Sequence, residues 1–180
     1  VNSIMIKKII VGNNGLALEV TVGTGAVFPT MKRGEEFAKI ALEIAKKYNR
    51  KAVAVLTAMN QPLGTTVGDK LEVIEAIKML KGEWTEDLRE IVMGIGTQAL
   101  LMSKKVKTAK EAESLLHHAV ESGKAFACFK KFIEDFGGDF DAVYLHPEPK
   151  SKYRIEMKAW KDGYIKIKDR KSTRLNSSHV

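Results

Sequence analysis

Ala52-Val53-Ala54-Val55-Leu56 runs through the loop Thr57 to Gly68 into Asp69-Lys70-Leu71-Glu72-Val73-Ile74-Glu75-Ala76-Ile77-Lys78-Met79-Leu80, and this passage decides the fold. Residues 52–56 are apolar and rich in β-branched side chains. Periodicity alone does not separate such a run from buried helix, but its shortness and flanks favour a buried strand. Pro62, Gly64 and Gly68 then break the chain. From Asp69, a suitable N-cap, Leu71, Ile74, Ala76, Ile77 and Leu80 recur at helical spacing until Gly82. A strand that feeds a helix this directly is half of a βαβ unit. Ligands of open parallel sheets bind beyond the carboxyl ends of the strands, so chemistry is expected first in the loop at 57–68.

Working outward toward the amino end, Arg33 to Tyr48 reads as a helix with Phe37, Ile40, Ala41, Ile44, Ala45 and Tyr48 on one stripe. Before it, Gly12 to Gly15 is a turn and Leu16 to Val22 a second apolar strand, ending in Gly23-Thr24-Gly25-Ala26. Strand, helix, strand predicts parallel pairing with a right-handed crossover. Both glycine-bearing loops would then leave the same edge of the sheet. A Gly-Thr-Gly tripeptide serves a tight turn as readily as a phosphate. Ser3 to Ile10 reads as a short helix with Ser3 and Lys7 four apart on one face. A hydroxyl and an ammonium so placed can grip a carbonyl-bearing ring, although such a pair taken alone is more often a surface turn with a snorkelling lysine.

Toward the carboxyl end the pattern becomes helical. Thr85 can cap Glu86 to Met102; Thr108 with Glu111 is a capping box opening Ala109 to Ser122; Lys124 to Phe136 follows, with Phe126, Phe129, Phe132 and Ile133 inward. Cys128 lies among these phenylalanines and reads as core. His117 and His118 are adjacent and face different ways, and no carboxylate–histidine spacing suggests a metal. The expected organisation is an α/β domain over 1–140, a proline-bearing linker over 141–150, and over 151–168 the start of a β-rich module: Tyr153 to Met157, an Asp162-Gly163 turn and Ile165 to Ile167 as a hairpin. Residues 169–180 have no apolar period and match what a common sequencing adapter encodes, so they are expected to be translated adapter. Without that tail the formal charge of +8 drops to +6.

Of the 180 residues 44% are hydrophobic and 29% charged, ordinary for a globular protein. One cysteine excludes an internal disulfide framework and fits a reducing compartment. No apolar run reaches the ~20 residues that span a bilayer, and no signal pattern is present, so a cytoplasmic location is expected. There is no basic patch interleaved with aromatics, so neither nucleic acid nor membrane is an expected partner. Walker and Gly-x-Ser-x-Gly motifs are absent from the sequence. The chain opens Val1-Asn2-Ser3 and enters apparent helix almost at once, as a piece of something longer would.

Several segments in order resemble one family. Ser3-Ile4-Met5-x-Lys7-Lys8, Val22-Gly23-Thr24-Gly25-Ala26 with Pro29-Thr30, Met59-Asn60-Gln61-Pro62-Leu63-Gly64 and Gly68-x-x-Leu71-Glu72-Val73-x-Glu75-Ala76 stand as in the pyrimidine nucleoside phosphorylases, to which thymidine phosphorylase belongs. Leu80-Lys81-Gly82, Ser122-Gly123-Lys124-Ala125, Gly137-Gly138-Asp139 and Asp162-Gly163-Tyr164 agree. The resemblance covers nearly all of Asn2 to Lys168, and its most specific part is 60–75.

The resemblance implies a pentosyltransferase: reversible phosphorolysis of thymidine, uridine or deoxyuridine to free base and pentose 1-phosphate, with inorganic phosphate as co-substrate, no organic cofactor, and a homodimer. It implies that Ser3 and Lys7 hold the pyrimidine base. It further implies a structural monovalent cation, potassium, held by the carbonyls of Leu63 and Thr66 and the carboxylate of Glu75. The family's Lys-x-Ser-Thr-Gly-Gly phosphate loop and an arginine belong upstream of Val1, so the fragment by itself is expected to be inactive. Departures are Glu19-Val20-Thr21 for Asp-Val-Lys, Ala58 for aspartate, Thr66 for the usual alanine, and Ile6 where serine or alanine is common. Two other functions stay open: a nucleoside 5′-monophosphate phosphorylase, and a non-catalytic paralogue acting as a binding module.

Overall fold

The computed structural model describes residues 1–144, 153 and 155–163. Its elements are α1 (Asn2–Ile10), β1 (Gly15–Val22), α2 (Met31–Lys47), β2 (Lys51–Ala58), α3 (Asp69–Leu80), α4 (Glu86–Met102), α5 (Ala109–Glu121), α6 (Lys124–Asp135) and α7 (Phe140–Tyr144). The α/β class expected from the sequence is what the chain adopts. β1 and β2 pair in parallel, in a register that runs from Gly15 opposite Lys51 to Val22 opposite Ala58.

The alternation in β1 explains the core. Leu16, Leu18, Val20 and Val22 are buried on one face, and α2 lies there with Phe37, Ala38, Ala41 and Ala45 turned toward the sheet. Ala41 and Ala45 are wholly buried; short side chains let a helix approach a sheet closely. Met5 of α1, 1% exposed, joins the same cluster and anchors that helix. Thr30 caps α2 by accepting from the Arg33 amide, which starts the helix at Met31, two residues before the Arg33 start expected from the sequence. α4 packs on the strands as well and brings Met102 against Gly15.

β2 departs from expectation. Its residues 52–57 are only half-buried rather than core, because among the described residues it has one neighbouring strand and only partial cover from α2 and α4. Cys128 is a second correction: it is exposed. At 100° per residue it lies about 200° round α6 from Phe126, while Phe126, Phe129 and Ile133 share the half-buried side. Phe132 falls off that side too and is 58% exposed.

The linker expected over 141–150 opens on α7, whose first turn is capped by Asp139 accepting from the Ala142 amide at 3.0 Å. Phe140, 4% exposed, is surrounded by Phe126, Phe129 and Tyr144 with ring centroids 5.4 to 6.4 Å away. The Lys81 ammonium sits 4.4 Å from the Tyr144 ring centroid, so α3, α6 and α7 share one aromatic cluster. Of the expected hairpin, residues 153 and 155–163 carry no strand. Its second arm at 165–167 and the tail at 169–180 lie outside the described residues.

Candidate functional site

Because β1 and β2 are parallel and end together, their following loops emerge side by side, and backbone bonds tie them. Met59 N donates to the Val22 carbonyl at 2.7 Å, and Gly25 N donates to the Met59 carbonyl at 2.9 Å. The Asn60 side-chain oxygen accepts from Thr24 N at 3.2 Å. Gly23 makes this approach possible. Its φ is +142°, and a Cβ there would lie 2.6 Å from Asn60 Oδ1 and 2.7 Å from the Met59 carbonyl carbon.

Farther along, the second loop is held by carboxylates from two helices. Glu75 of α3 accepts through Oε1 from both the amide and the hydroxyl of Thr65, at 2.7 and 2.6 Å, and through Oε2 from the Thr66 hydroxyl at 2.7 Å. Asp87 of α4 accepts from Gly64 N at 2.7 Å. Gly64 has φ +72°, and a Cβ on it would stand 2.6 Å from Glu75 Oε2. At the mouth of α3 Gly68, not Asp69, is the N-cap, and its amide donates to Glu72 Oε1 at 3.2 Å.

Residues 1–126 match the family described as "Glycosyl transferase family, a/b domain". The chain belongs to this glycosyl transferase family. Among similar proteins, the pyrimidine-nucleoside phosphorylases of Staphylococcus aureus strains bovine RF122 / ET3-1, USA300 and NCTC 8325 / PS 47 are each 42% identical over 166 residues, 91% of this chain. The resemblance read from the motifs is thereby borne out. The chain spans 38% of the length of these curated relatives.

Within this glycosyl transferase domain the structure joins some expected residues and leaves others apart. Thr66 and Glu75 are in direct contact, with Leu63 one residue before the clamped Gly64. Ser3 and Lys7 share the outward side of α1, opposite buried Met5, and both are exposed. No hydrogen bond ties either of them to the loop at 57–68. At the loop the Glu75 carboxylate is engaged by the donors of Thr65 and Thr66 and lies against Gly64, the residue that follows Leu63. No group of three or more His, Cys, Asp and Glu placed to hold a metal occurs among the described residues.

Both carboxylates are tuned toward the ionised form. Partial burial pushes Glu75 upward, but the hydrogen bonds from Thr65 and Thr66 together outweigh it and hold the carboxyl below its ordinary value of 4.5. Burial likewise pushes Asp87 upward, and the Gly64 amide leads the hydrogen bonds that bring it below 3.8. A carboxyl whose folded value is depressed adds stability above its unfolded value and loses that stability as pH falls through the folded one. Stability contributed by Glu75 is therefore constant above pH 4.5 and declines below it. Thermal unfolding followed from about pH 6 to about pH 3 should show a smaller fall for Glu75→Gln than for the parent, because only the parent loses an ionised acceptor; equal falls would remove Glu75 from the loop's support.

Two features escaped the motif reading. Thr57 Oγ1 donates to Glu19 Oε1 at 2.8 Å across the strand pair, diagonal to the register pair Thr21 and Thr57. The two departures at the strand ends, Thr21 and Ala58, flank this bond. Asp87 was the other, and its acidic position at the start of α4 looks like any helix-dipole residue.

Proposed function

We propose that the whole protein catalyses reversible phosphorolysis of pyrimidine nucleosides, thymidine, uridine or deoxyuridine. An oxygen of inorganic phosphate bonds to C1′, the C1′–N1 bond breaks, and its electron pair leaves with the pyrimidine, which is protonated to give free base beside pentose 1-phosphate. The observation that carries this reading is the pair of glycine-bearing loops tied together at the carboxyl ends of parallel strands, in a chain similar to pyrimidine-nucleoside phosphorylases. Ser3 hydrogen-bonds the pyrimidine edge, and the Lys7 ammonium stabilises the negative charge that builds on the departing base. That interaction is stronger in the transition state than in the ground state, which is what accelerates the step.

The Leu63 and Thr66 carbonyls with Glu75 would hold a potassium ion whose contribution is to fix the loop. Glu75→Gln should then blunt the dependence of melting temperature on potassium, by linkage. An identical potassium response in mutant and parent discards the assignment. The protein works as a homodimer in the cytoplasm, without an organic cofactor.

Thr21 and Ala58, at the ends of the strands that carry both loops, favour a second reading: a non-catalytic paralogue that keeps the fold as a binding module. Translating the source DNA upstream of Val1 and assaying the resulting protein separates the two. An intact Lys-x-Ser-Thr-Gly-Gly loop followed by the arginine, with release of uracil or thymine in the presence of phosphate, is the expected result. A broken loop and no release would give the binding module the lead.

A further inference from the structure

Asp87 grips the loop from a different helix than Glu75 does, and the geometry of one peptide unit gives that grip a consequence. Its Oδ2 accepts from Gly64 N at 2.7 Å, while Oδ1 accepts from Leu88 N at 2.9 Å at the start of α4. Gly64 N–H belongs to the same planar, trans peptide as the Leu63 carbonyl, and in such a unit N–H and C=O point in opposite directions. Holding the amide on Asp87 therefore turns the Leu63 oxygen away from α4. The left-handed backbone of Gly64, packed against the Glu75 carboxylate on α3, leaves this peptide little room to flip.

We infer that Asp87 is a positioning residue that sets the direction of the Leu63 carbonyl and, through it, the affinity of the loop for a monovalent cation. This rests on the reading of Leu63 as a cation ligand. Asp87 touches neither the ion nor the substrate; it acts through the Gly64 amide. Its two amide donors, which outweigh the opposing push of partial burial, favour the ionised, accepting carboxylate.

The test uses the whole protein and its thermal unfolding against potassium chloride, with choline chloride holding ionic strength constant. The quantity read is the potassium concentration that gives half of the maximal shift in melting temperature. Asp87→Ala should raise that concentration at least fivefold. Asp87→Asn, which keeps one acceptor oxygen but brings an amide group toward a donor, should raise it by less and serves if the alanine variant does not fold. Glu86→Ala, which removes a charge from the same helix end without touching the loop, should leave it unchanged. A tether that only stabilised the fold would lower the melting temperature at every potassium concentration alike without moving the half-effect point. An unchanged half-effect concentration in a folded Asp87 variant overturns the inference. So does a parent with no potassium response at all; uracil or thymine release by that same parent would leave the phosphorolysis reading standing.

Discussion

Lys7→Ala in the whole protein should reduce turnover of thymidine or uridine by well over tenfold, with the loss in kcat rather than in binding. Removing one preorganised stabiliser of charge that develops in the transition state typically costs about 10²–10³ in rate. The side chain is exposed on α1, so its removal leaves the fold alone; surface substitutions of this kind usually change stability by less than about 0.5 kcal/mol. Met5, buried on the opposite side of the same helix, keeps the helix in place in the variant. Steady-state assay at saturating phosphate, beside a thermal melt, decides the matter. Unchanged kinetics in a protein that melts normally would take Lys7 out of the site.

Gly23→Ala should be the most damaging single change at the ligand-facing edge. A φ of +142° lies in a region essentially reserved for glycine, costing other residues about 1–3 kcal/mol. The added methyl would also meet Asn60 Oδ1 and the Met59 backbone inside 3 Å, and backbone cannot rotate aside as a flexible side chain can. Relief requires parting the two loops, with loss of the Gly25 to Met59 and Thr24 to Asn60 bonds. The expected destabilisation is about 2–5 kcal/mol, which for a chain of this length lowers Tm by about 5–15 °C. A melt within about a degree of the parent would show that the loops do not pack as described.

These two expectations draw on different kinds of information. The expectation for Lys7 comes from the sequence, where helix spacing and a family resemblance both speak to it. The order β1, α2, β2, α3 was legible for a similar reason: local periodicity of 2 or 3.6 is written into consecutive residues. The Thr108 cap with Glu111 was readable too; Thr108 Oγ1 accepts from Glu111 N, and Glu111 reaches back, although to the Lys107 amide. What lay beyond reach is set by contacts between distant segments. Nothing near Asp87 announces that Gly64, 23 residues earlier, will donate to it. Spacing marked α6 as amphipathic, but which side a neighbour covers decides exposure, and there Cys128 and Phe132 were misjudged. β2 reads as continuous core from its composition, yet burial depends on how many elements flank it.

The constant offset between β1 and β2 bears on how the chain folds. Each residue of β1 pairs with one 36 positions later, so the first bond of the ladder closes a single long loop at an entropic cost of about (3/2)RT ln n, roughly 3 kcal/mol. Later bonds close no new loop and propagate along the pair. α2 eases that first closure by geometry: 17 helical residues at 1.5 Å span about 25 Å, close to the 26 Å of an eight-residue strand, so the helix returns the chain to the edge where the ladder begins. Once pairing starts near Gly15 and Lys51, zipping delivers Val22 and Ala58 to each other. The one register that sets Gly15 opposite Lys51 therefore also brings the two glycine-bearing loops together, and their own few hydrogen bonds have only to hold them there.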